Sequence, residues 1–269
     1  MAVPPNIMKQ RGNLATDLRK LSGVISQYFP TADFSSIESA IGELRNKERI
    51  PQIPGIKTDN NIWGYSLDKI IFKFDKKPDD VIPVNCKDLK LILDIKVLGN
   101  CNDLNTLKDP FKWLEFNIVI EGTKFTEKEN EQLLTSYHLD KHVQVTGDGE
   151  PEYPHPIYHF HFGGRKLLEH LEQNNFETGG IMLFESPRMS HYPMEAILGL
   201  DFTISNFFPN VWKKMKSESN EYNNLIEKYQ NLFLKPYIQT HASQWDYISE
   251  NLEISNSWNP YSICPQNCK

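Results

Sequence analysis

The chain has 269 residues, 39% of them hydrophobic, 12% aromatic and 24% charged, the make-up of a globular protein able to build a substantial core. Its 29 basic and 35 acidic side chains leave a formal charge of −6. That balance excludes bulk attraction to nucleic acid, which draws on clustered Lys and Arg, and no stretch approaches the roughly 20 apolar residues of a membrane span.

The start, Met-Ala-Val-Pro-Pro-Asn, lacks the apolar run of an export signal. The four cysteines, Cys86, Cys101, Cys264 and Cys268, form no C-x-x-C pair. A cytoplasmic protein with reduced thiols is therefore expected. Leu14, Leu18, Leu21, Ile25 and Tyr28 recur at helical spacing and predict a helix over 13–28, closed by Pro30. Ser35 and Glu38 match a capping box for a second helix carrying Ile37, Ile41 and Leu44. The stretch from Ile50 to Asn60, with Pro51, Pro54 and Gly55, reads as a linker.

The period then changes to two. Ile70, Phe72 and Phe74 alternate with Ile71, Lys73 and Asp75. Leu89 to Val97 and Leu114 to Ile120 repeat the pattern, predicting strands of an antiparallel sheet with one better-buried side. Thr126 and Glu129 suggest a cap for a short helix over 127–137. A strand at His142–Val145 and the Gly147-Asp148-Gly149 turn follow.

Residues 154–164 read Pro-His-Pro-Ile-Tyr-His-Phe-His-Phe-Gly-Gly. As a strand, this puts His155, Ile157, His159 and His161 on one face and Tyr158, Phe160 and Phe162 on the other. Beyond Gly164, Leu167, Leu168 and Leu171 suit a short helix, and Ile181–Phe184 a buried strand. Pro193 opens a nearly all-apolar helix over 194–208, ended by Pro209. Two tail helices follow, one marked by Tyr222, Leu225, Ile226 and Tyr229, the other opened by Pro236 and carrying Trp245 and Ile248. The expected fold is α+β, with N-terminal helices, a mainly antiparallel sheet and a helical C-terminal half packed on it. Residues 1–50 form the helical segment and 60–269 the α+β domain, with its sheet over about 63–185 and its helices over about 193–252.

Two chemical readings attach to the histidine row. Alternate residues on a strand face lie about 6.6–7 Å apart, so two imidazoles can converge on one ion. A divalent transition-metal site would then use His155, His159 and His161, with Glu185 as a further ligand. The second reading combines His159, His161, Arg165, Arg188 and His191 into a general acid–base site that cleaves a phosphodiester of RNA or DNA, the guanidinium stabilising developing charge. Asp201, inside the apolar helix, needs a partner such as Arg188 or a histidine, unless it shares an exposed stripe with Ser205.

No phosphate loop, dinucleotide turn, H-E-x-x-H or G-x-S-x-G elbow is present. The leading expectation is a non-catalytic, partner-binding subunit of an intracellular complex of bacterial type, with a protein partner and no membrane. It rests on five tryptophans, Trp63, Trp113, Trp212, Trp245 and Trp258, a residue type favoured at interfaces. The hydrolase requires the five site residues to converge in one pocket; the binding subunit requires dispersed histidines and an exposed aromatic patch.

Overall fold

Alternation in the middle of the chain becomes one six-stranded antiparallel meander: β1 (Ile62–Lys73), β2 (Cys86–Asn100), β3 (Phe111–Phe125), β4 (Asn130–Lys141), β5 (Tyr158–Phe162) and β6 (Met189–Ser190), side by side in chain order. The computed structural model describes residues 4–75, 78, 85–104, 106, 108–125, 130–141, 156–174 and 187–243, with the backbone alone at 164–166, 174 and 243. The class is α+β, as expected.

Helix α1 (Pro5–Tyr28) starts with a proline in its first turn, where the missing N–H costs nothing. Its stripe Ile7, Leu14, Leu18, Leu21 and Ile25 is buried. Arg11 on the same helix is buried too, and its guanidinium donates to the carbonyls of Asn60 and Ile62, tying the segment before β1 to α1. Helix α2 (Ser35–Arg45) forms as expected, but without the capping box. The Asp33 carboxylate accepts the Ser35 N–H at 2.8 Å instead, and Glu38 reaches Arg19 of α1 at 3.0 Å. Glu43 accepts the outward Ser66 N–H of edge strand β1 at 2.7 Å, which blunts that edge.

The expected helix over 127–137 is corrected to strand β4. Leu133, Leu134 and Tyr137 fit a helical stripe locally. Pairing with β3, rung by rung from Glu115 opposite Asp140 to Phe125 opposite Asn130, overrides it. Its start at Thr126 and Glu129, the expected strands at His142–Val145 and Ile181–Phe184, and the Gly147–Gly149 turn lie outside the described residues.

The expected short helix after β5 forms as α3 (Gly164–Asn174). One face of the sheet carries the core. Leu67, Phe72, Leu93, Val97, Leu114, Phe116 and Leu139 pack there in a single buried cluster with α1, α2 and α4 (Ala196–Phe207). A methyl on Gly199 of α4 would sit 2.6 Å from the Phe116 ring, so glycine permits this close approach of helix and sheet. Helix α4 is capped by Glu195 rather than opened by Pro193. Pro209 ends it and at once opens α5 (Pro209–Glu218), which the pattern did not predict. Helix α6 (Asn220–Tyr229) then runs through a π-type turn, Gln230–Leu234, into α7 (Lys235–Ser243). The wider turn ends two residues before Pro236, which has no N–H for a helical bond. It seats Phe233 in the core against Trp63 and Phe111. Among the described residues no helix is long and apolar enough to cross a membrane.

A candidate acid–base cluster on the polar sheet face

The short strand β5 sorts its side chains as the alternation requires. Tyr158 is buried on the helix side, and Phe160 and Phe162 pack against Tyr137 of β4. His159 and His161 occupy the opposite face, with their rings stacked at 5.5 Å. The strand is pinned to β4 from the helix side. There the buried Asp109 accepts the Tyr158 hydroxyl at 2.8 Å and the Lys141 ammonium at 2.8 Å. Burial and the Asp109 charge push the Tyr158 hydroxyl well above its ordinary range, so it stays a donor.

Register then assembles the polar face. One cross-strand row runs Asp94, Asn117, His138, His161; the next runs Lys96, Glu115, Asp140, His159, Ser190. Neighbouring strands lie about 4.8 Å apart, which brings these side chains into contact. Asp140 Oδ1 lies 2.8 Å from His159 Nε2, and Asp140 Oδ2 lies 3.0 Å from His138 Nε2. His138 Nδ1 meets the Asn117 side chain at 2.5 Å, and the His138 and His161 rings meet edge to face at 5.2 Å. Arg188, the residue just before β6, lies near enough for its charge to act on His161.

The electrostatics follow from this crowding. Burial works against the charged form of Asp140, but the hydrogen bonds and charges of His138 and His159 prevail and hold the carboxyl below its usual range. His161 is pushed down to about 4, first by burial, then by the His138 and His159 rings and by Arg188, against the pull of Asp140. At neutral pH it is an uncharged imidazole beside a guanidinium and able to accept a proton. His159 is 3% exposed and His161 is half-buried, so His161 is the member of the pair that a substrate can reach.

The residues singled out in the sequence divide as follows. His159, His161 and Arg188 come together. His191 does not join them: it lies on the aromatic side, stacked on Tyr192 at 4.3 Å and beside Phe160 and Phe202, with its Nδ1–H donated to the Tyr192 carbonyl. Burial lowers its basicity, and it reads as a satisfied core histidine. The Arg165 side chain, His155 and Glu185 lie outside the described residues. Among the described residues no group of three His, Cys, Asp or Glu is arranged to hold a metal ion. Stacked rings such as His159 and His161 present faces rather than nitrogen lone pairs to one another.

Asp201 finds neither Arg188 nor a histidine; its Oδ1 accepts the Trp212 indole N–H at 2.8 Å and the Tyr222 hydroxyl at 2.6 Å. His138, Asp140 and Asn117 were not expected in the site. Reading 130–141 as a strand would have exposed them, since His138 and Asp140 then fall on one face.

The three tryptophans among the described residues behave differently from surface anchors. Trp63 is buried among Tyr65, Phe111 and Phe233. Trp113 packs on the small cluster of Ile50, Ile53, Ile62 and Leu98, and Trp212 on the main core; Trp245 and Trp258 lie outside the described residues. On the helix side of the sheet, a cavity of about 740 Å³ opens between Phe74, Leu89, Ile120, Leu133, Tyr137 and Phe207. Compared with known proteins, the chain matches no family model, no curated protein and no solved structure.

Proposed function

We propose that the chain is a hydrolase of phosphodiesters, acting on RNA or DNA through the cluster on the polar sheet face. The observation that supports this reading best is the union of His138, Asp140, His159 and His161 in one contact group with Arg188 at its edge. This is a different set from the five residues expected, since His191 stands on the other face of the sheet and the Arg165 side chain lies outside the described residues. In the proposed reaction, His161, neutral at physiological pH and the more accessible of the pair, takes the proton of the attacking hydroxyl or water as that oxygen bonds to phosphorus. The P–O bond to the leaving oxygen breaks, the leaving oxygen takes a proton from solvent water, and His161 returns its proton to solvent. Arg188 faces the phosphate and offsets the charge that develops on its oxygens. Asp140, His138 and His159 form the ordered wall against which His161 stacks.

The test is a single-turnover assay with end-labelled single-stranded RNA and DNA at pH 7, run with EDTA and with added Mn²⁺. The expected result is a ladder of shorter labelled products from at least one substrate. Intact substrate after prolonged incubation with stoichiometric protein in both conditions overturns the reading.

A second reading, a non-catalytic subunit that binds a protein partner inside the cell, is favoured by the apolar cavity beneath Leu133 and Tyr137. Its signature is a stoichiometric companion that copurifies with the wild type and is lost from Leu133→Asp. Equal recovery of that companion with both proteins contradicts it.

A further inference from the structure

We infer that the cavity on the helix side of the sheet is a binding site for an uncharged, medium-chain aliphatic molecule with one hydrogen-bonding head, such as a primary alcohol. The inference is independent of the hydrolytic reading, since the histidine cluster stands on the opposite face. It starts from where the core stops. Along β2, β3 and β4 the apolar face is closed at Leu93, Ile118 and Leu139, each 0% exposed. A rung or two further along the same faces, Leu89, Ile120 and Tyr137 are only half-buried. Helix α4 ends at Phe207, and Pro209 starts α5 in place of a further turn, so the apolar floor continues past its helical cover. The volume left there, about 740 Å³, falls inside the range of about 300–1,000 Å³ typical of small-molecule sites.

The strands set the shape of this space. Its floor runs from Phe74, just past β1, over Leu89 of β2 and Ile120 of β3 to Leu133 of β4. Three strand spacings make that span about 14 Å, which suits a chain lying across the strands. Charge decides the head. None of the described lining residues is charged, and the hydroxyl and amide groups among them belong to Thr135, Tyr137 and Asn206. A carboxylate or ammonium would give up water there without a counter-charge, whereas a hydroxyl needs only a hydrogen bond. The Thr135 hydroxyl can donate or accept one. Asn206 donates its Nδ2–H to the Phe202 carbonyl at 2.8 Å and keeps Oδ1 as an acceptor.

The experiment is a calorimetric titration of the intact chain at pH 7 with 1-hexanol, 1-heptanol, 1-octanol and octanoate, followed in parallel by ¹³C-methyl spectra. Saturable one-to-one binding is expected, tightening roughly fourfold per added methylene. Octanoate should bind about tenfold or more weaker than 1-octanol. The methyl shifts should centre on Leu89, Ile120 and Leu133. Thr135→Val keeps the side-chain shape and should weaken 1-octanol about fivefold while leaving the chain-length dependence unchanged. Non-saturable uptake, methyl shifts centred elsewhere, or octanoate binding as tightly as 1-octanol overturns the inference, and none of these readings needs a variant to fold. Unchanged affinity in Thr135→Val overturns it as well. Absence of alcohol binding, alongside a companion protein that depends on Leu133, gives the cavity to the partner-binding reading instead.

Discussion

His161→Ala is expected to slow phosphodiester cleavage at pH 7 by about 10²–10⁴-fold, the range for loss of a positioned proton acceptor. Its thermal midpoint should move by no more than a few degrees. The reason lies in the contacts. Asp140 keeps both of its imidazole partners when His161 is removed, and Tyr158 and Lys141 still pin β5 to β4 from the other face. The half-buried ring leaves little unfilled volume. The variant should also resist acid better. His161 is held at about 4 against an ordinary 6.5, so its contribution to stability is present above pH 6.5 and is lost as pH falls toward 4. Alanine removes that acid penalty. Calorimetry and single-turnover kinetics on the same preparation check both parts; a large loss of stability alongside the loss of rate would mark His161 as structural.

The second large effect concerns Glu195, which is 1% exposed at the start of α4. Its Oε1 accepts the Ile197 and Leu198 N–H groups at 2.9 and 3.0 Å, and its Oε2 accepts the Tyr65 hydroxyl at 2.8 Å. Burial raises this carboxyl to about 7 despite those donors, with the Asp17 charge adding to the rise. The sign is opposite to the usual carboxylate. Below pH 4.5 both folded and unfolded chains hold the proton. Between 4.5 and 7 only the folded chain does, so stability is lost as pH rises through this window, by on the order of 3 kcal/mol in total.

His161 and His191 act in the other direction over part of the same range, because both are lowered in the folded chain. The wild-type profile alone therefore shows a compromise. The difference between Glu195→Gln and wild type isolates the carboxyl. Urea unfolding from pH 4.5 to 8 should show the variant gaining on the wild type by on the order of 3 kcal/mol as pH rises. A difference that stays flat across the window would contradict this account of α4.

Much of the fold was legible because its signals are local. Alternation marked β1, β2, β3 and β5, and helical stripes marked α1, α2, α4 and α6. Strand β4 was not legible, because Leu133, Leu134 and Tyr137 suit either period and only non-local pairing with β3 decides between them. That one misreading hid His138 and Asp140, and with them the contacts that make the histidine row a cluster.

Helix α5 escaped because Pro209 reads as a stop, although proline is equally at home in a first turn. The two-residue strand β6 carries no period at all. Arg188 was still identified as chemistry-bearing, but the side of the sheet taken by His191 depends on where the chain turns after Ser190, which no pattern encodes. Glu195 was not singled out, since a glutamate before an apolar run is an unusual cap.

The most direct test is the pH–rate profile of wild-type cleavage between pH 3.5 and 8 under single-turnover conditions. With His161 as the proton acceptor, the rate should fall on the acid side with a midpoint near 4 and hold level toward neutrality. His161→Ala should lack that limb. A profile whose acid limb is centred near 6.5, or survives unchanged in His161→Ala, would contradict the assignment.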